Sequence, residues 1–265
     1  MMQTVFRGKR FLSAAALLGA LAAVSGPAAA MQPLITDDTG TQGEGVNQLE
    51  LTYNRDRARA GGETERTRSI PVVYTRGLTD ALDVYVGTDH TSIRADGDHA
   101  SGFGNTVVGA KWRFFENEAS GTSLGLKPEI AIPVSRHREN DGLGTGKLSG
   151  SIALLLTQDV PFGQIHVNAS VGRDRFRDSA ENATTRTFSV APVWDVTEQW
   201  KLALDVGIER SRSGGQTVRS KYAEIGAIYA PSDEIEFAIG FIRATDNDHP
   251  KTKTNSVTLG LTLHF

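Results

Sequence analysis

Over residues 46–265 apolar and polar side chains alternate with a period of two, as they do in strands whose two faces meet different surroundings. The last segment shows it most clearly. Val257, Leu259, Leu261, Leu263 and Phe265 fall on one face, with Ser256, Thr258, Gly260, Thr262 and His264 on the other. Ile235–Phe241, Leu202–Ile208, Ile165–Val171, Leu124–Val134, Val108–Phe114, Leu82–Val86 and Leu49–Tyr53 repeat the pattern. Segments around Ile70–Tyr74, Leu148–Leu156, Phe188–Trp194 and Ala223–Tyr229 complete a set of about twelve strands.

The connections alternate in length. Short turns are expected at Gly77–Asp80, Glu116–Gly121, Asp159–Gly163, Asp195–Gln199 and Ala230–Asp233. Between them lie longer, charged stretches, expected as loops: Arg55–Arg66, Thr88–Ala100, Ser135–Gly146, Arg173–Thr185, Glu209–Val218 and Thr245–Asn255. Outer-membrane barrels have this asymmetry, with tight periplasmic turns and long extracellular loops. Both chain ends then fall on the periplasmic side.

Alternation alone does not say which face is buried, since a soluble lipocalin-like barrel keeps its apolar residues inside and a membrane barrel turns them out. Three features favour the second. One face is small and charged, unlike a filled core. A sheet of about twelve strands encloses more space than side chains usually fill. Tyr53, Tyr74, Trp112, Phe114, Trp194, Trp200, Tyr229 and Phe265 fall toward strand ends, where interfacial girdles form. The expected fold is an all-β, antiparallel, up-and-down transmembrane β-barrel over residues 46–265.

The first residues have another purpose. Arg7, Lys9 and Arg10 precede an apolar run, Phe11–Val24, then Ser25–Gly26–Pro27 and the small residues Ala28–Ala30. That order of parts is a signal peptide over residues 1–30, with cleavage expected after Ala30. It carries three of the 28 basic residues and none of the 31 acidic ones, so its removal moves the formal charge from −3 to −6. Such a balance argues against nucleic acid. The chain has no cysteine, which excludes disulfides and thiolate metal sites. No cofactor or metal is expected.

Several segments resemble one known family: Pro33–Gly43 leading into Gln48–Leu51, Tyr74–Asp80, Gly102–Thr106 and Lys111–Phe115. The family is the outer-membrane transporters associated with the MetA pathway of phenol degradation. The resemblance implies a barrel with a transport role, and the family's name points to small, hydrophobic or aromatic solutes. Asn105 stands where Asp is expected in that family. The terminal Phe265 resembles the signature read by the barrel-assembly machinery.

Candidate functional residues lie on the charged face and before the first strand. Glu50, Asp83, Glu129, Asp205, Glu209, Glu224 and Glu236 oppose Lys111, Arg113 and Lys127, with His166 among them. Across a lumen they would either set up a transverse field or brace the barrel by ion pairs. Residues 31–45 are either a periplasmic tail or a plug, in which Thr36, Asp37, Asp38 and Thr39 would meet Lys111, Arg113 and Lys127. Two rival classes remain. For a barrel enzyme, His166 is expected to project inward beside Ser151, Ser170 or neighbouring strand residues, but no nucleophile motif occurs. A structural or adhesive surface barrel would work through its loops. The arginine-rich Arg55–Arg66 and Arg173–Arg186 are expected to be solvated and placed to bridge lipopolysaccharide phosphates.

Overall fold

The computed structural model describes residues 32–265; the leader expected over residues 1–30 lies outside the described residues. Thirteen strands form one sheet. They are β1 (Asn47–Ala60), β2 (Glu63–Thr79), β3 (Leu82–Ala95), β4 (Asp98–Phe103), β5 (Thr106–Asn117), β6 (Thr122–Ile132), β7 (Ser149–Val160), β8 (Gly163–Asp174), β9 (Ala183–Asp195), β10 (Trp200–Ser213), β11 (Gln216–Ser232), β12 (Ile235–Asp246) and β13 (Lys253–His264). A one-turn helix α1, Arg136–Asn140, sits between β6 and β7.

Consecutive strands pair antiparallel except β4 and β5, which share one edge of β3. Its second half, His90–Ala95, pairs with β4, while its first half, Leu82–Gly87, pairs with β5. β4 and β5 are therefore one stave interrupted at Gly104–Asn105. β1 pairs with β13 from Gln48↔His264 to Arg59↔Lys253, which closes a barrel of twelve staves.

Burial follows the alternation with the apolar row outside. Leu51, Val72, Val108, Leu204, Ile225, Phe241 and Leu259 are exposed, whereas Glu50, Asp83, Lys111, His166, Asp205 and Glu224 are buried. A folded chain with its large apolar side chains outward and its charges inward suits a hydrocarbon solvent. Aromatic rings collect at the end of the short turns. Trp200 stacks on Tyr229 with centroids 4.6 Å apart, and Phe162 on Trp194 at 5.6 Å; Trp112 and Phe114 lie 5.7 Å apart. Tyr74 and Phe265 share that end, where the Tyr74 hydroxyl donates to Asn47 Oδ1. Tyr53 lies further along β1 and is not part of this belt.

Three of the stretches expected as long loops are strand. β1–β2, β3–β4 and β10–β11 close through Gly61–Gly62, Asp96–Gly97 and Gly214–Gly215, all at positive φ. Paired positive φ defines the two-residue hairpin turn that matches strand twist. About 9–11 residues of tilted strand cross a membrane. β2 and β11 have 17 residues each and β1, β3 and β10 have 14, so these hairpins continue well past the apolar band. The other expected loops survive in part: residues 133–148 carry α1 and residues 175–182 a 3-10 turn.

Inside, two tyrosines stand on the polar face where the opposite residue is glycine. Tyr85 faces Gly109 and Tyr222 faces Gly207 across the strand pairs. A Cβ on either glycine would collide with the ring lying over it. The lumen wall is thus shaped by large and small residues paired across strands.

Leu204 sits mid-strand on the lipid face. Leu204→Arg is expected to lower stability in lipid vesicles by about 2–4 kcal/mol, the cost of a cation near the bilayer midplane. Denaturant unfolding in vesicles measures it; an unchanged midpoint would place Leu204 off the hydrocarbon.

Candidate functional site

Residues 32–45 run through the barrel interior, descending from mid-lumen to the periplasmic mouth. Their sequence suits this course, because short polar residues offer backbone and hydroxyl groups to the wall on every side. Gln32 Nε2 donates to Thr52 Oγ1 of β1 at 2.8 Å. Pro33 packs where Gly226 and Gly240 leave room. Leu34 joins Ala191, Val193 and Ala203 in a small apolar cluster. The amides of Ile35 and Thr36 donate to Asp205 Oδ2 at 3.0 and 2.7 Å, and the Thr36 hydroxyl to Oδ1 at 2.8 Å. Tyr222 adds a fourth donor to that carboxylate, at 2.8 Å.

Asp37 lies at the centre. Its Oδ1 accepts from Lys111 Nζ at 2.9 Å and its Oδ2 from Lys127 Nζ at 2.6 Å, with all three side chains buried. Asp38 is 3.6 Å from the same Lys111. The Asn168 amide, turned to match, donates to Asp37 O at 2.9 Å and accepts from Asp37 N at 2.6 Å. Two lysines against two aspartates leave the cluster formally neutral, which a buried site requires. Thr39 follows, with its amide donating to Thr157 Oγ1 at 3.0 Å and its hydroxyl 2.5 Å from Ser123 Oγ. At the mouth, Gln42 N reaches both oxygens of Asp83, Thr41 Oγ1 donates to Asp80 O, and Gln42 Oε1 lies 3.1 Å from His264 Nδ1.

The other expected lumen residues divide into three groups. Asp205, Asp83 and Lys111 touch the segment directly, as does Lys127. Glu129 is held on the wall by the Tyr85 hydroxyl at 2.8 Å and the Ser151 hydroxyl at 2.9 Å. Glu50 and Glu209 are buried away from the segment, Glu224 is buried beside the Ile35 backbone, and Glu236 is half-buried. Two oxygens of Glu224 and one of Glu50 have no hydrogen-bond partner.

One expectation needs correction, and one set of alternatives is narrowed. Arg113 does not meet Asp37 or Asp38; its guanidinium lies at the periplasmic rim, donating to Asp80 O at 2.9 Å and pairing with Glu116 at 3.3 Å. It sits two residues further toward the rim than Lys111, next to the irregularity between Arg113 and Phe115. His166 is not beside Ser151 or Ser170. Its Nδ1 lies 3.0 Å from Thr157 Oγ1, because His166 and Thr157 are register partners. Sequence reading missed Tyr85, Ser123, Thr157, Asn168 and Tyr222. Their only signal is inward parity, which small polar wall residues share.

Above the segment a cavity of ≈ 90 Å³ opens toward the extracellular rim. Asp37, Lys127 and Ile35 floor it, and Glu129, Val107, Leu155, Ser189 and Asp174 are among its walls. The connection bearing α1 is tied down beside it. Glu139 accepts from the backbone amide of Arg177 at 2.7 Å and pairs with its guanidinium, which also reaches Val134 O at 2.9 Å. Asn105 clamps the same connection: Nδ2 donates to Ile132 O and Thr145 O, and Oδ1 accepts from Thr145 N. An aspartate could not supply the two donated bonds, so the amide suits this position.

A closed, lipid-facing barrel with a chain segment inside defines the class: an outer-membrane β-barrel. The chain belongs to the family described as "Putative MetA-pathway of phenol degradation", whose model matches residues 36–252. Among solved structures it is similar to an outer membrane channel from Pseudomonas putida F1, with a TM-score of 0.72 and 14% identity over 86% of this chain and 98% of that one. It is also similar to the transport unit of the autotransporter AIDA-I from Escherichia coli (TM-score 0.56, 9% identity, 98% and 100% covered). The translocator domain of the autotransporter NalP from Neisseria meningitidis follows (TM-score 0.51, 12% identity, 100% of both chains). No curated protein matches the chain.

Asp37→Ala removes the buried carboxylate that Lys111 and Lys127 share, and losing one partner of a buried pair costs about 3–5 kcal/mol. The expected outcome is release of the segment, read as rapid protease cleavage within residues 32–45 while the barrel stays resistant. Glu139 lies outside the membrane. Burial pushes its pKa up, but the Arg177 amide and guanidinium outweigh that and hold it below its ordinary 4.5. A depressed carboxylate stabilises the loop fully above pH 4.5 and loses that contribution as pH falls through the lowered value. Protection factors of the amides of residues 136–147, taken relative to the intrinsic exchange rate at each pH, should therefore fall on acidification below pH 4.5 and stay flat in Glu139→Gln.

Proposed function

We propose that the chain is an outer-membrane channel for small solutes, closed at rest by residues 32–45. The observation that carries this reading is how the lumen is filled. An apolar core would fix the interior permanently. Here one continuous segment, hydrogen-bonded to inward groups around the wall, does the filling. It can leave without dismantling the barrel ladder, because none of its wall contacts is a strand-to-strand bond of the transmembrane ladder.

The solute class follows from the family description and the cavity. A dry cavity of about 150 Å³ takes benzene, and the present cavity of ≈ 90 Å³ is smaller than that. Val107, Ala131 and Leu155 beside Ser151, Ser170 and Ser189 offer apolar surface with scattered hydroxyls. That mixture suits phenol-like solutes, which carry one polar group on an apolar body. Ser151 is committed to Glu129, and the Thr157 hydroxyl beside His166 also accepts from the Thr39 amide of the segment, which favours conduction over catalysis.

Deleting residues 32–44 tests the closure. Single-channel conductance in planar bilayers should rise several-fold, and uptake of phenol into proteoliposomes should rise with it. Conductance equal to the full-length protein would remove the segment from any gating role. Glu129, Asp174 and Glu209 on the upper wall face no inward lysine or arginine at that level, so reversal potentials in a salt gradient should show weak cation preference.

A further inference from the structure

Charges on the extended hairpins are sorted by face. On β1 the outward row runs Leu49, Leu51, Tyr53 and then Arg55, Arg57 and Arg59; on β2 it runs Tyr74, Val72, Ile70 and then Arg68 and Arg66. Outward positions on the extensions of β8–β13 include arginines and lysines and no Asp or Glu. The acids of the same stretches, Asp56, Glu65, Asp174, Glu209 and Asp246, occupy the inward rows. The register sets like charges directly opposite one another: Arg55↔Arg68, Arg57↔Arg66 and Arg66↔Arg94. Directly opposed side chains have Cβ atoms about 4.5–5.5 Å apart, and like charges there are destabilising. All five of these arginines are exposed, and none pairs with a carboxylate. The crowding acts on the groups themselves, since Arg59, with Arg66 and Arg55, lowers the pKa of the Arg57 guanidinium.

We propose that this arginine face of β1–β3 binds the phosphorylated headgroup of the outer-leaflet glycolipid, lipopolysaccharide. Two observations select that occupant. The face needs a polyanion with several phosphates, because guanidinium groups bind phosphate in bidentate fashion and a single anion would not neutralise the cluster. The arginines of β1 and β2 also continue the same outward rows that Tyr53 and Ile70 occupy just below. The ligand must therefore carry its anionic part directly on an apolar part lying in the membrane. A soluble polyanion meets the first requirement and not the second. Inward placement of the acids keeps carboxylates off the surface where the phosphates dock. The assignment depends on barrel orientation and stands apart from the channel reading.

Binding to the full-length barrel purified in neutral detergent tests it, by native mass spectrometry and thermal shift. The probes are purified lipopolysaccharide, the same lipid with its phosphates removed and acyl chains intact, and inorganic pyrophosphate. Intact lipopolysaccharide should bind at least tenfold more tightly than the dephosphorylated form and raise Tm. The triple variant R57S/R66S/R68S should lose at least tenfold in affinity with conductance unchanged. Equal binding of the two lipid forms overturns the proposal. Pyrophosphate binding as tightly as the lipid also overturns it, by making a soluble anion the ligand. A lipid-free dimer that the triple variant abolishes would do the same, by making a second copy the occupant. If the triple variant fails to fold, seen as loss of heat-modifiable gel mobility, the comparison of the two lipids on the unsubstituted protein decides alone.

Discussion

Hydrocarbon offers no partner to a backbone N–H or C=O, so a sheet that enters it has to close on itself. In this chain closure is the β1–β13 ladder, twelve residue pairs long, joining the start of the barrel to its last strand. Every other feature is set by that seam. Closure fixes which row of each strand faces lipid. It also brings side chains from distant parts of the sequence within reach across one lumen, and it leaves an interior that wall side chains alone do not fill.

The interior is filled in a way that keeps it polar. Lys111 and Lys127 come from neighbouring staves and would repel one another if left alone, and Asp37 lies between them with one oxygen for each. Asp205 performs the converse task on the far wall, where one carboxylate gathers donors from Ile35, Thr36 and Tyr222. Space for the segment comes from small wall residues, and rigidity from tyrosines laid over glycines on the adjacent stave. Such a lumen is well ordered, yet it is built from hydrogen bonds and one ion-pair cluster, interactions that water can replace when the segment leaves.

The same closure separates charge radially. Wherever the hairpins rise past the apolar band, carboxylates turn to the water-filled interior and guanidinium groups to the outside. A folding argument alone would interleave the signs, since opposite charges across strands are favourable and like ones costly. Retaining the costly arrangement is the feature that the proposed glycolipid contact accounts for. The interior acids, meanwhile, give the mouth its own field, separated from the outer cations by the thickness of the wall.

Much of this was legible along the chain. Period-two alternation gave the staves and the lipid-facing row, because alternation is a local property enforced by two unlike solvents. It failed above the membrane, where both faces of Arg55–Arg66 and Glu209–Val218 meet water; no apolar period survives there, and hairpins turning on Gly61–Gly62 and Gly214–Gly215 read as loops. Lumen chemistry was visible only as a set of candidates. Lys111, Arg113 and Lys127 share one inward parity, and nothing local says that Asp37 takes the first and third while Arg113 turns to Asp80 and Glu116. The sequence likewise left residues 31–45 open between tail and plug. Partners across a lumen are chosen by register, stagger and closure. These depend on every strand at once, so only the assembled barrel could decide them.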